Sequence, residues 1–100
     1  MTIKTNKNGN ELIMAISGRV DTSTAPEFEA KVRECIEGVT NLVLDFKEVD
    51  YISSAGLRVI LFAKKAMVKQ GDMKIINVNE SVYEIFEVTG FSDMLTIETI

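Results

Sequence analysis

The hydrophobic positions near the start of the chain predict two strands joined by a tight turn. Residues 2–6 mix polar and apolar side chains and predict a weak edge strand, whereas apolar side chains alternate through a stronger strand over residues 11–17. The dipeptide Asn8-Gly9 is a strong hairpin signal, since a type I′ turn needs positive φ at both central residues. We expect Gly18 to end the second strand.

Three later segments repeat their apolar side chains at helical spacing. They predict helices over residues 24–37, 55–70 and 80–89, and a glycine directly follows each of them. Thr24 and Glu27 have the spacing of a capping box at the start of the first helix. These three helices therefore have both a periodic pattern and a stop signal.

Short apolar runs lie between the helices and predict the remaining strands. Residues 42–46 form a nearly continuous apolar run, which is typical of a strand buried on both faces. Residues 73–78 and 95–100 predict two more strands, and Asn79 between them is placed to cap the third helix. The order β-β-α-β-α-β-α-β predicts an α/β fold. Its sheet should be mixed and mostly parallel, with an antiparallel N-terminal hairpin.

Composition limits the classes of function that this fold can serve. A length of 100 residues predicts one domain over residues 1–100. Lys and Arg number 11 against 15 for Asp and Glu, a formal net charge of −4 without a basic run, so we expect no binding to nucleic acid. The chain has no histidine, which removes the commonest general base and most zinc sites.

Cysteine content and hydropathy bear on the cellular location. Cys35 is the only cysteine, so no internal disulfide can form and a reducing compartment is permitted. The longest wholly apolar run, residues 59–63, is far shorter than the roughly 18 residues that span a bilayer. The first ten residues lack the apolar core of a signal peptide. We therefore expect a cytoplasmic protein with no direct membrane insertion.

The junction before the second helix holds the most unusual polar residues. Ser53 and Ser54 lie at a predicted helix start, where free N–H groups and the helix dipole favour a hydroxyl cap or an anion. Spacing alone favours the cap over a covalent or ligand-binding role. Gly56 is unfavourable in a first helical turn, which suggests a close approach to the backbone there.

Two other groups of polar residues have weaker claims to a function. Residues 21–24, Asp-Thr-Ser-Thr, would lie at the carboxyl edge of the sheet, where ligands gather, although these residue types are also common in turns. Asp45 and Asp50 lie five positions apart, flanking Lys47 and Glu48, with no acidic pair after the first strand, which disfavours a metal site or a phosphoaspartate. No cofactor-binding loop is present. We expect no catalytic residue, no metal and no cofactor.

Residues 50–57, Asp-Tyr-Ile-Ser-Ser-Ala-Gly-Leu, resemble the STAS family, the sulphate-transporter and anti-sigma-factor-antagonist domain. In that family a strand and a tight loop deliver an Asp-Ser-(Ser/Thr/Ala)-Gly-Leu stretch into a helix. Residues 18–21 with Thr24-Ala25, residues 42–46 and residues 82–91 are similar to other family segments and occur in the same order. The resemblance covers essentially the whole chain.

The resemblance implies a regulatory switch. In anti-sigma factor antagonists of this family, the serine matching Ser54 is phosphorylated by the anti-sigma factor, which is itself a serine kinase. The unphosphorylated antagonist binds that kinase and releases a sigma factor, and a PP2C-type serine phosphatase resets the switch. The resemblance places the following residues at the partner-binding surface: Asp21, Thr24, Ser53, Ser54, Ala55, Gly56 and Leu57.

One departure from the family pattern keeps an alternative open. The family aspartate directly before the phosphorylated serine is Ser53 here. The alternative is a non-switching STAS subunit of a lipid-transport ABC complex or a stress-signalling scaffold. An enzyme is a third and weaker hypothesis, because the chain lacks histidine and a cofactor loop. The sequence leaves the oligomeric state open.

Overall fold

The structure is a computed structural model that describes all 100 residues, and its five strands form one sheet. The strands are β1 (Thr2–Asn8), β2 (Glu11–Val20), β3 (Asn41–Ile52), β4 (Asp72–Val78) and β5 (Thr96–Thr99). They lie in the order β1-β2-β3-β4-β5, with β1 antiparallel to β2 and every other pair parallel. The predicted α/β fold with an N-terminal hairpin is therefore confirmed.

Four helices connect the strands. They are α1 (Ala25–Cys35), α2 (Ser54–Val68), α3 (Glu80–Val88) and α4 (Phe91–Met94). The first three confirm the predicted helices, with ends that differ from the prediction by at most two residues. The short helix α4 was not predicted, because a single turn is too short to show helical periodicity. Leu95, predicted to begin the last strand, instead donates its N–H to the carbonyl of Phe91.

Strands β2 and β3 both continue well past their predicted ends at residues 17 and 46. Their carboxyl halves pair with each other, with Gly18 opposite Val49 and Val20 opposite Ile52. Gly18 has a φ of 96° and lies next to a shift in register. Glycine here permits a local irregularity in the strand and does not end it, contrary to the prediction.

The turn between β1 and β2 differs from the predicted type I′ turn. Asn8 pairs with Glu11, so the two central residues are Gly9 and Asn10. Only Gly9 has a positive φ, 64°, as at the first central position of a type II′ turn. The turn therefore lies one residue later in the chain than predicted.

The core lies between the sheet and its helices. One cluster of 25 buried residues joins side chains of α1, α2 and α3 to the sheet. Val43 is only 4% exposed but lies outside this cluster, opposite Ile13 and Lys74 of the adjacent strands. The prediction that this segment of β3 is buried on both faces is therefore confirmed: Leu42 and Leu44 belong to the core cluster, and Val43 is buried outside it. No helix of the structure is both long and apolar enough to cross a membrane.

We expect Leu44→Ala to lower the free energy of unfolding by about 2–5 kcal/mol, because the fully buried side chain would leave a cavity at the centre of the sheet. Urea denaturation measures the change. Val88→Ala is the control, since Val88 is 80% exposed and its truncation should change stability by less than about 0.5 kcal/mol. Similar losses for the two variants would contradict the central position of β3.

Candidate functional site

The carboxyl ends of β2 and β3 meet at the edge of the sheet where α1 and α2 begin. The backbone N–H of Ser53, directly after β3, donates to the carbonyl of Val20 at the end of β2, at 2.8 Å. This bond places the loop at residues 21–24 next to the Ser53-Ser54 junction. The predicted position of that loop at the carboxyl edge of the sheet is confirmed.

Asp21 and Thr24 hold the loop together by reciprocal hydrogen bonds. The Asp21 carboxylate accepts from the N–H groups of Ser23 and Thr24 at 3.0 and 3.2 Å, and from the Ser23 hydroxyl at 2.8 Å. The Thr24 hydroxyl accepts from the Asp21 N–H at 2.8 Å and donates to the Arg19 carbonyl at 2.9 Å. These bonds close the turn that leads into α1, whose N-cap residue Thr24 forms no side-chain cap bond. The predicted capping box between Thr24 and Glu27 is therefore wrong, because the Thr24 hydroxyl bonds Asp21 and Arg19 instead.

This hydrogen bonding also keeps Asp21 ionised. The hydrogen bond from the Ser23 hydroxyl has the largest effect and lowers the pKa of Asp21 from its ordinary value of 3.8. Desolvation has the next largest effect and opposes it, and the N–H groups of Thr24 and Ser23 lower the pKa further. The guanidinium of Arg19 lies 3.6 Å from the same carboxylate. The loop therefore presents a fixed negative charge at the edge of the sheet.

The two serines at the start of α2 have different environments. Ser54 is the first residue of the helix and is exposed. Ser53 holds the N-cap position with an extended backbone, but its buried hydroxyl oxygen has no hydrogen-bond partner. The cap expected from spacing is therefore not formed. The predicted cap at α3 is confirmed, since the Asn79 side chain accepts from the Val82 N–H at 2.8 Å.

Gly56 allows the first turn of α2 to press against the ends of two strands. A Cβ atom at this position would lie 2.7 Å from side-chain atoms of both Ile52 and Val20, closer than real Cβ contacts. The close approach predicted at Gly56 is confirmed: the side chains of Ile52 and Val20, at the ends of β3 and β2, lie next to its backbone. Gly56 and Leu57 are buried and Ala55 is half-buried, so among residues 54–57 Ser54 is the one that is exposed.

A model of the STAS domain family matches residues 2–99 of the chain. The chain belongs to the STAS domain family. Two relatives agree in sequence over nearly the whole domain. A Bordetella bronchiseptica protein named as a candidate anti-sigma factor antagonist is 34% identical, over 97% of this chain and 85% of the relative. The anti-sigma-B factor antagonist of Bacillus subtilis is 30% identical, over 97% of this chain and 90% of the relative.

Solved STAS structures share the fold at lower sequence identity. An anti-sigma factor antagonist from Mycobacterium paratuberculosis superposes with a TM-score of 0.90 at 18% identity, covering 99% of this chain and 86% of that one. The Bacillus cell fate determinant SpoIIAA in its phosphorylated form superposes with a TM-score of 0.75 at 16% identity, covering 98% and 92%. These likenesses establish the fold of this STAS domain.

Two residues beside the candidate site of this STAS domain were not predicted from the sequence. Arg19 and Tyr51 are paired across β2 and β3, and the guanidinium lies 4.5 Å from the centre of the Tyr51 ring. Tyr51 is 37% exposed. Arginine and tyrosine are frequent at energetically important interface positions. The pair could not be predicted, because the two residues face each other only in the parts of β2 and β3 that extend beyond the predicted strand ends.

The exposed site continues into a groove between α1 and α2. The groove has a volume of about 460 Å³, and Thr22, Pro26, Ala55 and Arg58 are among its lining residues. It gives the surface around Ser54 a concave extension that a partner side chain can enter.

The two other acidic residues considered from sequence lie in different surroundings. The Asp45 carboxylate accepts from the Lys47 N–H and the Asn77 side-chain amide, each at 3.0 Å. It thereby supports Asn77, whose φ of 58° marks the place where β4 turns away from β3. Asp50 is exposed. Asp45 therefore has a structural role.

Replacing Ser53 by alanine should leave the free energy of unfolding within about 0.5 kcal/mol of the parent value, because no hydrogen bond is lost. Asn79→Ala removes the cap bond from the Val82 N–H and also the side-chain bond to the Val49 carbonyl, so it should lower the free energy of unfolding by at least about 0.5–2 kcal/mol. Urea denaturation of both variants tests the difference. An equal loss for Ser53→Ala would show that the serine hydroxyl caps α2 in solution.

The ionised Asp21 carboxylate should stabilise the fold only above acidic pH. Because the pKa is lowered in the folded state, the stabilisation is present above the ordinary value of 3.8 and is lost as the pH falls through the lowered pKa. We expect Asp21→Asn to be less stable than the parent at neutral pH, with the difference shrinking below pH 3.8.

Urea midpoints measured between neutral and acidic pH give this difference directly. Asp50→Asn is the control, because Asp50 is exposed and its side chain accepts no hydrogen bond. A stability difference for Asp21→Asn that stays constant down to acidic pH would rule out the ionised carboxylate as its source.

Proposed function

We propose that this STAS domain is an anti-sigma factor antagonist that binds an anti-sigma factor serine kinase while Ser54 is unmodified. Phosphorylation of Ser54 ends the complex, and a PP2C-type phosphatase restores it. The observation that carries the proposal is the exposed Ser54 at the first position of α2, on a helix start fixed by the packing of Gly56.

The relatives support the general part of this proposal, that the domain is an anti-sigma factor antagonist. Both are named as anti-sigma factor antagonists, and the match extends across the whole domain. SpoIIAA structures exist for the unphosphorylated and the phosphorylated form, and both superpose on this chain with a TM-score of 0.75. A STAS domain can therefore carry a phosphate without changing its fold.

The position of Ser54 suits a switch that acts at the surface. A phosphate adds about −1.5 to −2 charges at neutral pH. At the first turn of α2 the dianion would face free N–H groups and the positive end of the helix dipole. The domain can thus hold the phosphate locally. A kinase bound at the Ser54 surface would instead clash with the phosphate and be exposed to its negative charge. The net charge of the unmodified chain is already −4.

The chemistry of the switch belongs to the partners. The Ser54 oxygen would form a bond to the γ-phosphorus of ATP as the bond to ADP breaks, and the kinase base would take the hydroxyl proton. A chain without histidine can serve as the acceptor in this reaction, since it supplies no general base. The role assigned to Asp21 and Thr24 is to shape the contact surface beside Ser54.

Ser53 favours the second candidate, a non-switching STAS subunit of a lipid-transport ABC complex or a stress-signalling scaffold. A carboxylate at this position in the family is replaced by a hydroxyl, which is buried and unpartnered. Affinity purification distinguishes the candidates: a serine kinase and a sigma factor support the switch, whereas an ATPase and a permease support the transport subunit.

We expect anti-sigma factor serine kinases of the source organism, supplied with ATP, to phosphorylate the parent chain at Ser54 and to leave Ser54→Ala unmodified. Mass spectrometry locates the phosphate. Ser54→Asp should weaken the complex with the kinase at least tenfold by calorimetry, since like-charge or desolvated contacts at an interface cost several kcal/mol.

Ser81→Asp is the matched control for the added charge. Ser81 is also an exposed serine in the first turn of a helix, but in α3 and away from the contact surface. Its variant should bind the kinase like the parent chain. Phosphate on another residue, or equal effects of Ser54→Asp and Ser81→Asp, would refute the proposed switch.

A further inference from the structure

Charge is distributed unevenly between two helical segments of the domain. Residues 51–71, which contain α2, have four cationic side chains and no acidic one. Residues 75–100, which contain α3, have five acidic side chains and no cationic one. A domain with a net charge of −4 therefore has one distinctly positive helix and one distinctly negative helix.

The cations of α2 have no ion-pair partner within the chain. The four ion pairs of the structure involve Arg19, Lys31, Arg33 and Lys74, all outside α2. Lys65 of α2 and Lys69, the residue directly after the helix, are moreover exposed. Carboxylates of another molecule can therefore approach these lysines without displacing an existing pair.

An apolar groove lies between these two lysines. It has a volume of about 510 Å³ and is lined by Phe62, Ala66 and Val68 together with Lys65 and Lys69. Val68 is 68% exposed and gives this lining an accessible aliphatic side chain. The groove is concave, so it suits a protruding side chain better than it suits a flat membrane surface.

Helix α3 has the complementary features. Val88 is 80% exposed at the end of the helix. Glu84 and Glu87, four and one positions before it, are both exposed and form no ion pair. An exposed aliphatic side chain flanked by carboxylates is complementary in charge to an apolar groove flanked by lysines.

We propose that two copies of this chain associate by packing α3 of one copy against α2 of the other. Val88 would enter the groove, and Glu84 and Glu87 would approach Lys65 and Lys69. Because α2 and α3 both pack on the single core cluster of the sheet, their outer faces lie on the same side of the domain. A two-fold axis can therefore make the contact twice and close the dimer.

Sedimentation velocity over a range of concentrations tests this association. The parent chain should self-associate reversibly at about 0.03 M salt and much less at about 0.5 M salt, because salt screens exposed charges. Two double variants, Lys65→Glu with Lys69→Glu and Glu84→Lys with Glu87→Lys, should each reduce the association constant at least tenfold, since like charges would then oppose each other.

A mixture of the two double variants provides the decisive comparison. In a dimer that contains one copy of each, both α2–α3 contacts again join opposite charges, so the mixture should associate like the parent chain. Lys4→Glu with Lys7→Glu is the matched control, because it makes the same change in net charge on β1. Its association should equal that of the parent at the same salt concentration.

Three results would overturn the proposed dimer. The first is a parent chain that is monomeric at every concentration at low salt. The second is association that neither double variant weakens, in variants whose circular dichroism shows intact folding. The third is a mixture that fails to associate. If the chain is monomeric and the lysine variant instead loses binding to the kinase, the groove on α2 belongs to that partner.

Discussion

The parallel pairing between the carboxyl halves of β2 and β3 is the interaction on which the candidate site depends. It carries both strands to the same edge of the sheet, and the Ser53 N–H to Val20 carbonyl bond continues it beyond the last strand residues. The loop after each strand then begins a helix. Without this pairing, Asp21 and Ser54 would have no fixed relation to each other.

Packing at the start of α2 then holds the Ser54 hydroxyl at the surface. The absence of a side chain at Gly56 lets α2 approach Ile52 and Val20 so closely that the backbone path after β3 is fixed. Ser54, two residues earlier, is thereby held at the surface. A rigid position of this kind suits a group that is modified by another protein, since recognition depends on the path of the backbone as well as on the hydroxyl.

The environment of the site is a network of polar side chains. Hydrogen bonds from its own loop lower the pKa of Asp21, and Arg19 lies between that carboxylate and the ring of Tyr51. These groups therefore hold one another in place beside the start of α2. Charge is distributed unevenly over the rest of the helical side as well, with cations on α2 and carboxylates on α3.

The sequence by itself determined the order of the five strands and three longer helices, the α/β class, the family and the helix start that holds Ser54, because helical periodicity, glycine stops and short motifs are local. Only the tertiary structure decided the full lengths of β2 and β3, the hydrogen bonds between Asp21 and Thr24 and the unpartnered hydroxyl of Ser53. Strand ends depend on a pairing partner that is distant in sequence, and a hydroxyl bonds whichever group the fold brings within reach. Local sequence patterns hold no information about either of these long-range contacts.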